Sequence, residues 1–446
     1  MSAVFPKIAN PRGTADILPD QAPAWEALET TARGIFKTYC YRQIRTPLFE
    51  ETGLFKRSLG EATEVVNKQL LEVLSQRQMS AAEASGPAGL ALRPEGTAAV
   101  VRAYNQYDVG RNEFISKLFY IGPMFRGERP QKGRLRQFHQ IGAEVIGRGA
   151  NHPLVDAEQI ALAVNLLKSF GVSGFKLKIN SLGTVEDKAG FAVWLREALK
   201  DKIAHLSSDC QSQYDRNVFR LLDSKDQDCR NVIAALNIGT AHLSDSGLKY
   251  FEAVKCGLDA LGVEYEAAAN LVRGLDYYTH TVFEFIYDGL GSQDAIGAGG
   301  RYNGLIEQLG GGDRRFPEPT GAIGFALGME RILLALEHQG KSLTHVSVID
   351  VFVITGNPEF EGRAFKLVND LRAAGISADM DFGVRTFKKQ FEQANRTGAR
   401  FALILGEQEI KDGTVSVKNM KTGEQSVIPA VDILKFNFIN DKQTHY

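Results

Sequence analysis

Cysteine is scarce in this sequence. Its 446 residues include four cysteines, and no two of them form a CxxC pair. This spacing argues against a disulfide framework and against a zinc site, and it favours a reducing compartment. The eight histidines show no HExxH or similar ligand spacing. We therefore expect no structural metal in this chain.

The sequence also lacks an excess of either charge and any long apolar run. It has 52 Lys and Arg against 53 Asp and Glu, which gives a formal net charge of −1. Overall basicity therefore does not point to nucleic acid, and any RNA contact has to come from a local patch. The first residues, MSAVFPKIANPRG, contain no apolar signal core, and no run reaches the length of a membrane span. We expect a cytoplasmic protein without a membrane partner.

What is present is the composition of a globular protein. Hydrophobic residues make up 44% of the chain and charged residues 24%, which allows a sizeable core. On size alone, 446 residues predict about three domains. Residues 184–260 contain no proline and are mostly helical in pattern, and a new alternation of strands and helices begins at residue 346.

A basic stretch stands between two apolar strands within residues 119–147. Between Arg126 and Arg136 the chain carries five cations against one acid, Glu128, and a proline and a glycine keep this stretch out of regular structure. A basic loop held between strands suits a polyanion, because arginine offers forked donors that match phosphate oxygens. The alternative is a hairpin tip whose arginines are simply solvated.

Two polar side chains interrupt the return strand of this hairpin. Gln140 and Glu144 lie four residues apart, so on a strand they share one face. An amide and a carboxylate in the middle of an apolar strand predict a polar ligand at that point, because burying such groups without partners is unfavourable.

Several motifs carry a resemblance to a known family. FRGERP, the basic loop and RQFHQIGAEV together resemble motif 2 of class II aminoacyl-tRNA synthetases, in the form typical of histidyl-tRNA synthetases. RGLDYY followed by TVFE, and then IGAGGRYNGL, are similar to two further motifs of that family. TGAIGFALGMERILLAL resembles class II motif 3, and residues 24–49 resemble motif 1, which forms the dimer interface in the family. Taken alone, RGLDYY also fits an aromatic turn packed on a sheet, and residues 24–49 an ordinary helix–strand unit.

The resemblance implies an α/β (α+β) fold. Its parts are the class II synthetase antiparallel sheet flanked by helices, a helical insertion, and a C-terminal α/β anticodon-binding domain. We place the catalytic domain at residues 1–184 and 263–340, the insertion at 185–262 and the anticodon-binding domain at 346–446. The alternative for the insertion is a solvated helical appendage without RNA contact.

Periodicity predicts the individual elements. We expect helices at residues 24–39, from 97 onwards, at 153–170 and at 191–206, and a strand at 41–50 that Pro47 interrupts. In the last domain we expect helices at 361–374 and 386–397, strands at 346–355, 376–382, 400–405 and 414–418, and a terminal helix. Residues 69–89 depart from the family, because a polar, Ala/Ser-rich segment replaces a short aromatic hairpin. We expect a helix and a mobile loop there, with residues 75–89 dispensable for adenylation.

The resemblance also implies the site residues, in two groups. Those expected at ATP are Arg126 for the α-phosphate, Glu128 for the adenine amino group, Phe138 for stacking, and Arg134 and Arg331 for the γ-phosphate. Those expected at histidine are Glu95, Thr97 and Gln140 for the amino end, Glu144, Tyr277 and Tyr278 for the imidazole, and Tyr302 beside them. Arg273 is the expected catalytic cation, together with Arg126. From the residues alone, Glu95 also fits a helix cap and Arg331 an exposed surface arginine.

The function implied is that of a ligase with two steps. It activates histidine with ATP, accompanied by Mg²⁺, to histidyl-adenylate and pyrophosphate, and then transfers histidine to the 3′ end of tRNA(His). The resemblance also implies a homodimer formed through residues 41–49. One alternative is a non-catalytic relative, the regulatory subunit of ATP phosphoribosyltransferase, which would lack the terminal α/β domain and tolerate loss of the ATP arginines. A second is an RNA-binding module without chemistry.

Overall fold

The computed structural model of the chain describes residues 8–61, 63–74, 89–291, 294–312, 319–341, 349–383 and 386–438. The chain divides into two compact units, one made mainly of residues 25–342 and the other mainly of residues 343–446. The boundaries expected at residues 184 and 262, inside the first unit, stay predictions. None of the helices in the described ranges combines the length and the apolar character that crossing a bilayer requires.

The strands of the first unit form two sheets. They are β1 Arg42–Gln43, β2 Phe49–Glu51, β3 Glu72–Val73, β4 Leu90–Leu92, β5 Ser116–Phe125, β6 Gln137–Gly147, β7 Lys176–Ser181, β8 Glu266–Ala267, β9 Thr279–Ile286, β10 Ala295–Arg301 and β11 Gly321–Gly328. The main sheet has eight strands in the order β1-β5-β6-β11-β10-β9-β7-β8. All pairs from β5 across to β7 are antiparallel, and the two short edge strands add in parallel. The predicted antiparallel sheet is therefore confirmed.

The segment predicted as one strand interrupted at Pro47 forms two strands in different sheets. β1 joins the edge of the main sheet beside β5. β2 pairs with β4 in a small sheet of order β2-β4-β3. Pro47 lies between them and has no N–H to contribute to a ladder, which is why the chain leaves one sheet before it enters the other.

Helices accompany the main sheet of the first unit. They are α1 Ala22–Thr38, α2 Thr52–Leu59, α3 Thr97–Gln106, α4 Pro153–Ser169, α5 Val185–Leu199, α6 Ser208–Arg216, α7 Gln227–Ala234, α8 Asp245–Ala260, α9 Leu305–Gln308 and α10 Met329–His338. The helices predicted at 24–39, from 97 and at 153–170 are confirmed. Pro153 occupies the first turn of α4, where its missing N–H is not needed.

The helix predicted at 191–206 begins before residue 191 and ends before residue 206. Thr184 and Asp187 form a capping box that begins α5, and the helix ends at Leu199. A 3₁₀ turn at Ile203–His205 then returns Leu206 to the core cluster that contains Leu199. The apolar spacing up to Leu206 therefore reflects burial in a shared core, and the helix itself ends before that residue.

The second unit is an α/β domain. Its strands are β12 Val351–Thr355, β13 Ala378–Met380, β14 Phe401–Leu405, β15 Thr414–Asn419 and β16 Gln425–Pro429, and its helices are α11 Glu361–Ala373, α12 Phe387–Arg396 and α13 Glu407–Asp412. The sheet order is β13-β12-β14-β15-β16, with β12 parallel to both of its neighbours. Val353, Leu371 and Leu403 are among the residues of its buried core. The C-terminal α/β domain predicted from the sequence is confirmed.

The terminal helix predicted in this domain is wrong. Residues 425–429 form β16, which pairs antiparallel with β15, and only a 3₁₀ turn at Ala430–Lys435 follows. Gly423 takes a positive φ of 78° in the connection, so the chain turns back along β15 before any helix can begin. The apolar residues near 427–433 fit both periodicities, and the turn decides between them.

The divergent segment is described only in part. Residues 72–73 form β3 against β4, where a helix was expected, so that expectation is wrong for this portion. A short π-helical turn at Val65–Gln69 precedes it. Most of the stretch 75–89, predicted to be mobile and dispensable, lies outside the described residues, and that prediction stays open.

Candidate active site

A cavity of about 200 Å³ lies against the centre of the main sheet. Its walls come from the hairpin of β5 and β6, the start of α3, the loop at 273–278, strand β10, and the junction of β11 with α10. Every site residue expected from the sequence lines this cavity, with the exception of Glu144. Glu144 lies behind the wall, hydrogen-bonded to two of the lining side chains. The structure therefore brings together residues that are more than 200 positions apart in the sequence.

Positive charge is concentrated on one wall of the cavity. Arg126 Nε donates to a main-chain carbonyl at 2.9 Å, and its guanidinium lies 5.2 Å from the ring centroid of Phe138. Arg331 Nε donates to a carbonyl of β10 at 3.2 Å. Burial lowers the pKa of both arginines, and the nearby charge of Arg134 acts in the same direction. An anion among these three guanidinium groups would relieve their repulsion.

The connection between β5 and β6 is irregular, as predicted. Glu128 in this loop accepts a hydrogen bond from Arg134 Nη1 at 3.1 Å. Gly133 takes a positive φ of 74°, and a Cβ there would come within 3.0 Å of Arg331 Nη1. Glycine at this position therefore allows the loop to reach Arg331, which is buried. The alternative of an exposed surface arginine at 331 is excluded.

Glu95 caps the N-terminus of α3. Its Oε2 atom accepts the N–H of Thr97 at 2.7 Å, and its Oε1 atom accepts the N–H of Ala98 at 2.8 Å. The helix-cap interpretation is therefore correct. Burial raises the pKa of Glu95, and these two backbone donors oppose that rise. Each carboxylate oxygen keeps a further lone pair, so the cap leaves Glu95 able to accept a hydrogen bond from an amine in the cavity.

Glu144 is completely buried and bonded through both oxygens. Tyr302 Oη donates to Oε2 at 2.6 Å, and Thr97 Oγ1 donates to Oε1 at 2.7 Å. Burial raises the pKa of Glu144 to about 8. Gly324 stands opposite it on β11, and a Cβ there would lie 1.6 Å from Oε2. A glycine on β11 is thus what gives this carboxylate its space.

Aromatic rings and one amide complete the wall nearest Glu144. The rings of Tyr277 and Tyr278 lie 4.6 Å apart, and Tyr277 lies 5.6 Å from Tyr302. Burial raises the pKa of Tyr278 to about 12, so its hydroxyl stays protonated at neutral pH. Gln140 Oε1 is buried and has no hydrogen-bond partner among the described residues. The hydroxyl and amide groups of this wall are neutral, in contrast to the arginine wall.

Arg273 enters the cavity from the loop that follows the helical segment. Its Nη1 atom is paired with Glu284 on β9, while its Nε atom is buried without a hydrogen-bond partner in the described part of the chain. Burial lowers the pKa of Arg273, but the charge and hydrogen bond of Glu284, together with the nearby Tyr278 and Asp223, raise it more, and the net shift is upward. Arg273 is therefore a permanent cation with unused donor capacity beside the cavity.

The comparisons with known proteins agree with this geometry. A family model described as histidyl-tRNA synthetase matches residues 13–332, and one described as an anticodon binding domain matches residues 350–437. The chain belongs to the histidyl-tRNA synthetase family. Its class II fold with a C-terminal anticodon-binding domain is the one predicted from the sequence.

Individual relatives of the family extend over nearly the whole chain. A histidine–tRNA ligase of Halothermothrix orenii is 43% identical over 433 residues, covering 97% of this chain and 98% of the relative. The crystal structure of apo S. aureus histidyl-tRNA synthetase matches with a TM-score of 0.77 at 38% identity, covering 96% of this chain and 99% of that one. A structure from Bacillus halodurans described as an ATP phosphoribosyltransferase regulatory subunit/histidyl-tRNA synthetase has a TM-score of 0.62 at 22% identity, with 91% and 100% covered, which shows a shared fold.

Some residues of this histidyl-tRNA synthetase site were missed from the sequence. Glu284 pairs with Arg273, and Glu330 lines the cavity while it accepts the N–H of His139 at 2.9 Å. Tyr120 also lines the wall. Glu284 interrupts an apolar strand as Glu144 does, so the same pattern could have identified it. Glu330 and Tyr120 carry no such signal.

The acids around the cavity do not form a metal centre. Within the described ranges, no group of three His, Cys, Asp or Glu side chains is placed to hold a metal ion. Glu128 and Glu284 are each paired with an arginine, and Glu95 is bonded to backbone amides. Protein side chains at this site therefore do not fit direct magnesium coordination.

Proposed function

We propose that this cavity is where the enzyme activates histidine, with its two ends divided between the two substrates. As a histidyl-tRNA synthetase, the enzyme converts histidine and ATP to histidyl-adenylate and pyrophosphate, and then transfers histidine to tRNA. The arginine wall takes the phosphates and the wall of tyrosines takes the amino acid. The single observation that carries this division is the contrast, within one cavity, between the guanidinium groups of three arginines and a set of hydroxyl, amide and carboxyl groups.

ATP binds against the hairpin of β5 and β6. Arg126 binds the α-phosphate, and Phe138, which already lies under that guanidinium, stacks on adenine. Glu128 accepts a hydrogen bond from the adenine amino group. Arg134 and Arg331 hold the γ-phosphate, a role supported by their mutual repulsion and by the glycine that lets the loop reach α10.

Histidine binds at the other end. Glu95 and the unpaired Oε1 atom of Gln140 accept hydrogen bonds from its amino group. Thr97 contributes through Glu144, because its hydroxyl is already committed to that carboxylate. Tyr277 and Tyr278 line the imidazole pocket, and Glu144 supports this pocket from behind by holding the hydroxyl of Tyr302.

The first chemical step places negative charge where the cations are. The carboxylate of histidine attacks the α-phosphate, and charge builds on the phosphoryl oxygens as pyrophosphate leaves. Arg126 and Arg273 stabilise that charge. A fixed guanidinium stays protonated at any working pH and presents two donors to two oxygens, so it can take the place that a metal ion holds elsewhere.

Magnesium enters as the companion of ATP. The acids of the cavity are paired with arginines or backbone amides, so we expect the phosphates of the nucleotide to hold the ion. The steps assigned here to protein side chains do not depend on it.

A homodimer is the proposed assembly, formed through residues 41–49 and the small sheet beside them. Leu48 and Phe49 are 42% and 52% exposed, and Val73 and Leu74 are also exposed at that sheet. Large apolar side chains grouped on one surface mark an interaction site. The tRNA partner is expected to contact the C-terminal domain and residues 185–262, and we expect the enzyme to act in the cytoplasm.

Histidine-dependent pyrophosphate exchange in the absence of tRNA tests the proposal. Exchange that requires both histidine and ATP supports the enzyme. Its absence in a folded protein would favour the regulatory-subunit alternative, whose fold the chain shares. That alternative is disfavoured by the presence of Arg126 and Arg331 in the cavity.

A further inference from the structure

Side chains from the helical segment 185–262 converge on the loop that carries Arg273. Lys188, in the first turn of α5, donates from Nζ to the carbonyl oxygen of Asp276 at 2.7 Å and to that of Tyr278 at 2.8 Å. Both acceptors belong to the main chain, so the ammonium group fixes the path of the backbone. Burial lowers the pKa of Lys188, while the charge of Asp276 opposes that shift.

Two further side chains hold the same loop from a second position. Asn217 Nδ2 donates to Asp276 Oδ1 at 2.8 Å, and Arg220 Nη2 donates to the carbonyl oxygen of Gly274. The same Asn217 side chain caps the 3₁₀ turn Val218–Asp223, which is anchored in the core by buried apolar residues. The donors are thus held on a packed element.

The loop makes few main-chain hydrogen bonds of its own. Outside the strands, the main-chain amides of residues 273–278 make one hydrogen bond in the described structure, from Asp276 to the carbonyl of Leu59 at 3.5 Å. Its side chains Arg273, Tyr277 and Tyr278 all line the cavity. One side of the loop therefore faces the cavity, and side chains of residues 185–262 hold its other side.

We propose that Lys188, with Asn217 and Arg220, is a positioning residue that places Arg273 for catalysis. The inference rests on the proposed role of Arg273 as the catalytic cation. Because one ammonium group holds two main-chain carbonyls, the backbone of the loop resists displacement. A shift of about 1 Å in a catalytic group can reduce a rate by roughly a hundredfold. Residues 185–262 then have a function in activation itself, separate from any contact with tRNA.

Lys188→Met is the variant that tests this role, because it keeps the length of the side chain and removes the donors. In pyrophosphate exchange we expect kcat to fall by roughly 10- to 100-fold. The KM for ATP should change little, because Arg126 and Arg331 bind ATP and neither is held by Lys188. Lys188→Arg should restore part of kcat, since guanidinium can also donate to two carbonyls.

Lys200→Met is the matched control. Lys200 lies just after α5, and its ammonium group pairs with the exposed Glu197, away from the loop. We expect wild-type kinetics from it. Circular dichroism and thermal unfolding establish that each variant is folded. If Lys188→Met does not fold, Arg220→Met, which removes the contact to Gly274, is measured in its place with the same expectation.

A double-mutant cycle separates positioning from a general structural effect. If Lys188 acts through Arg273, then Lys188→Met should have little further effect on kcat in an Arg273→Ala background. Fully additive losses, or wild-type kcat in folded Lys188→Met and Arg220→Met, would overturn the inference. Wild-type protein without histidine-dependent exchange would instead refute the proposed function, so the two failures are distinct.

Discussion

Tyr302 donates a hydrogen bond of 2.6 Å to the carboxyl group of Glu144, which solvent does not reach. Thr97 donates to the other oxygen of the same carboxylate at 2.7 Å. Both donors line the cavity, so Glu144 holds two ligand-facing side chains from behind. We infer that selection of histidine depends on a carboxyl group that lies outside the wall of the proposed histidine pocket.

Removing Glu144 should affect histidine far more than ATP. Glu144→Ala leaves the hydroxyls of Thr97 and Tyr302 without their acceptor, and a buried unsatisfied group costs about 1–3 kcal/mol. We expect the KM for histidine to rise by roughly 10-fold or more, with the KM for ATP nearly unchanged. Steady-state pyrophosphate exchange measures both. Asp288→Ala, which removes an exposed carboxylate paired with Lys176, is the control. Unchanged histidine kinetics in Glu144→Ala would refute this account of the pocket.

The raised pKa of Glu144 predicts a pH dependence of stability. Between the ordinary value of 4.5 and about 8, the native protein holds a proton on Glu144 that the unfolded chain has released. The native state therefore binds more protons, and its contribution to the free energy of unfolding falls as pH rises through this range.

Glu144→Gln removes that titration. As pH rises from 5 to 8, the free energy of unfolding of the variant minus that of wild type should increase by an amount on the order of a few kcal/mol. Urea unfolding at several pH values measures the difference. Two curves that stay parallel over this range would show that Glu144 keeps an ordinary pKa.

Gly324 should be intolerant of substitution. In Gly324→Ala the new Cβ would lie 1.6 Å from Glu144 Oε2 and 2.7 Å from the carbonyl of Ala143, so the strands have to shift. We expect a loss of stability of about 1–3 kcal/mol and a weaker binding of histidine. Gly190→Ala on α5 is the matched control, because its Cβ meets no atom within 4 Å and alanine favours helix by up to about 1 kcal/mol. Equal melting temperatures for the two variants would contradict the crowding argument.

The exposed apolar surface at the small sheet predicts the assembly. Phe49→Glu places a charge where two apolar surfaces are proposed to meet, and charges buried without partners are strongly unfavourable. We expect wild type to sediment as a dimer at sub-micromolar concentration and Phe49→Glu to dissociate. Tyr107→Glu, at an aromatic residue that is also exposed, is the comparison. A stable and fully active wild-type monomer would exclude the dimer.

The sequence predicts this site well where the charged or polar site residues and the turn residues lie next to one another in the chain. The strand–loop–strand at 119–147 was visible because apolar runs flank a basic stretch, and its residues Arg126 and Phe138 line the cavity as expected. Gln140 was visible as an amide inside an apolar strand. A polar residue within an apolar strand can be interpreted from the sequence because the pleat of the strand fixes which face each residue occupies.

Long-range pairings were not predictable in the same way. Glu144 carries the correct pattern, but its place behind the wall depends on Thr97 and Tyr302, which come from other parts of the chain. Lys188 carries no signal in the sequence, and only the fold shows that it holds a loop 88 positions away. The terminal strand β16 was missed because its apolar spacing also fits a helix, and the preceding turn at Gly423 decided the outcome.

The central claim is that Arg273 is the cation of the activation step. Arg273→Ala removes a charge-assisted contact that matters mainly in the transition state, a loss of about 3–4 kcal/mol or a factor of roughly 100–1,000 in kcat. Arg273→Lys keeps the charge and loses the fork, so it should recover only part of the rate.

The direct test is kcat and the KM for ATP of Arg273→Ala and Arg273→Lys in pyrophosphate exchange, with circular dichroism as the folding control. We predict a large fall in kcat with a nearly constant KM for ATP, since we propose that ground-state binding of ATP depends on Arg126 and Arg331. Wild-type kcat together with a raised KM for ATP would make Arg273 a binding residue and contradict its catalytic role.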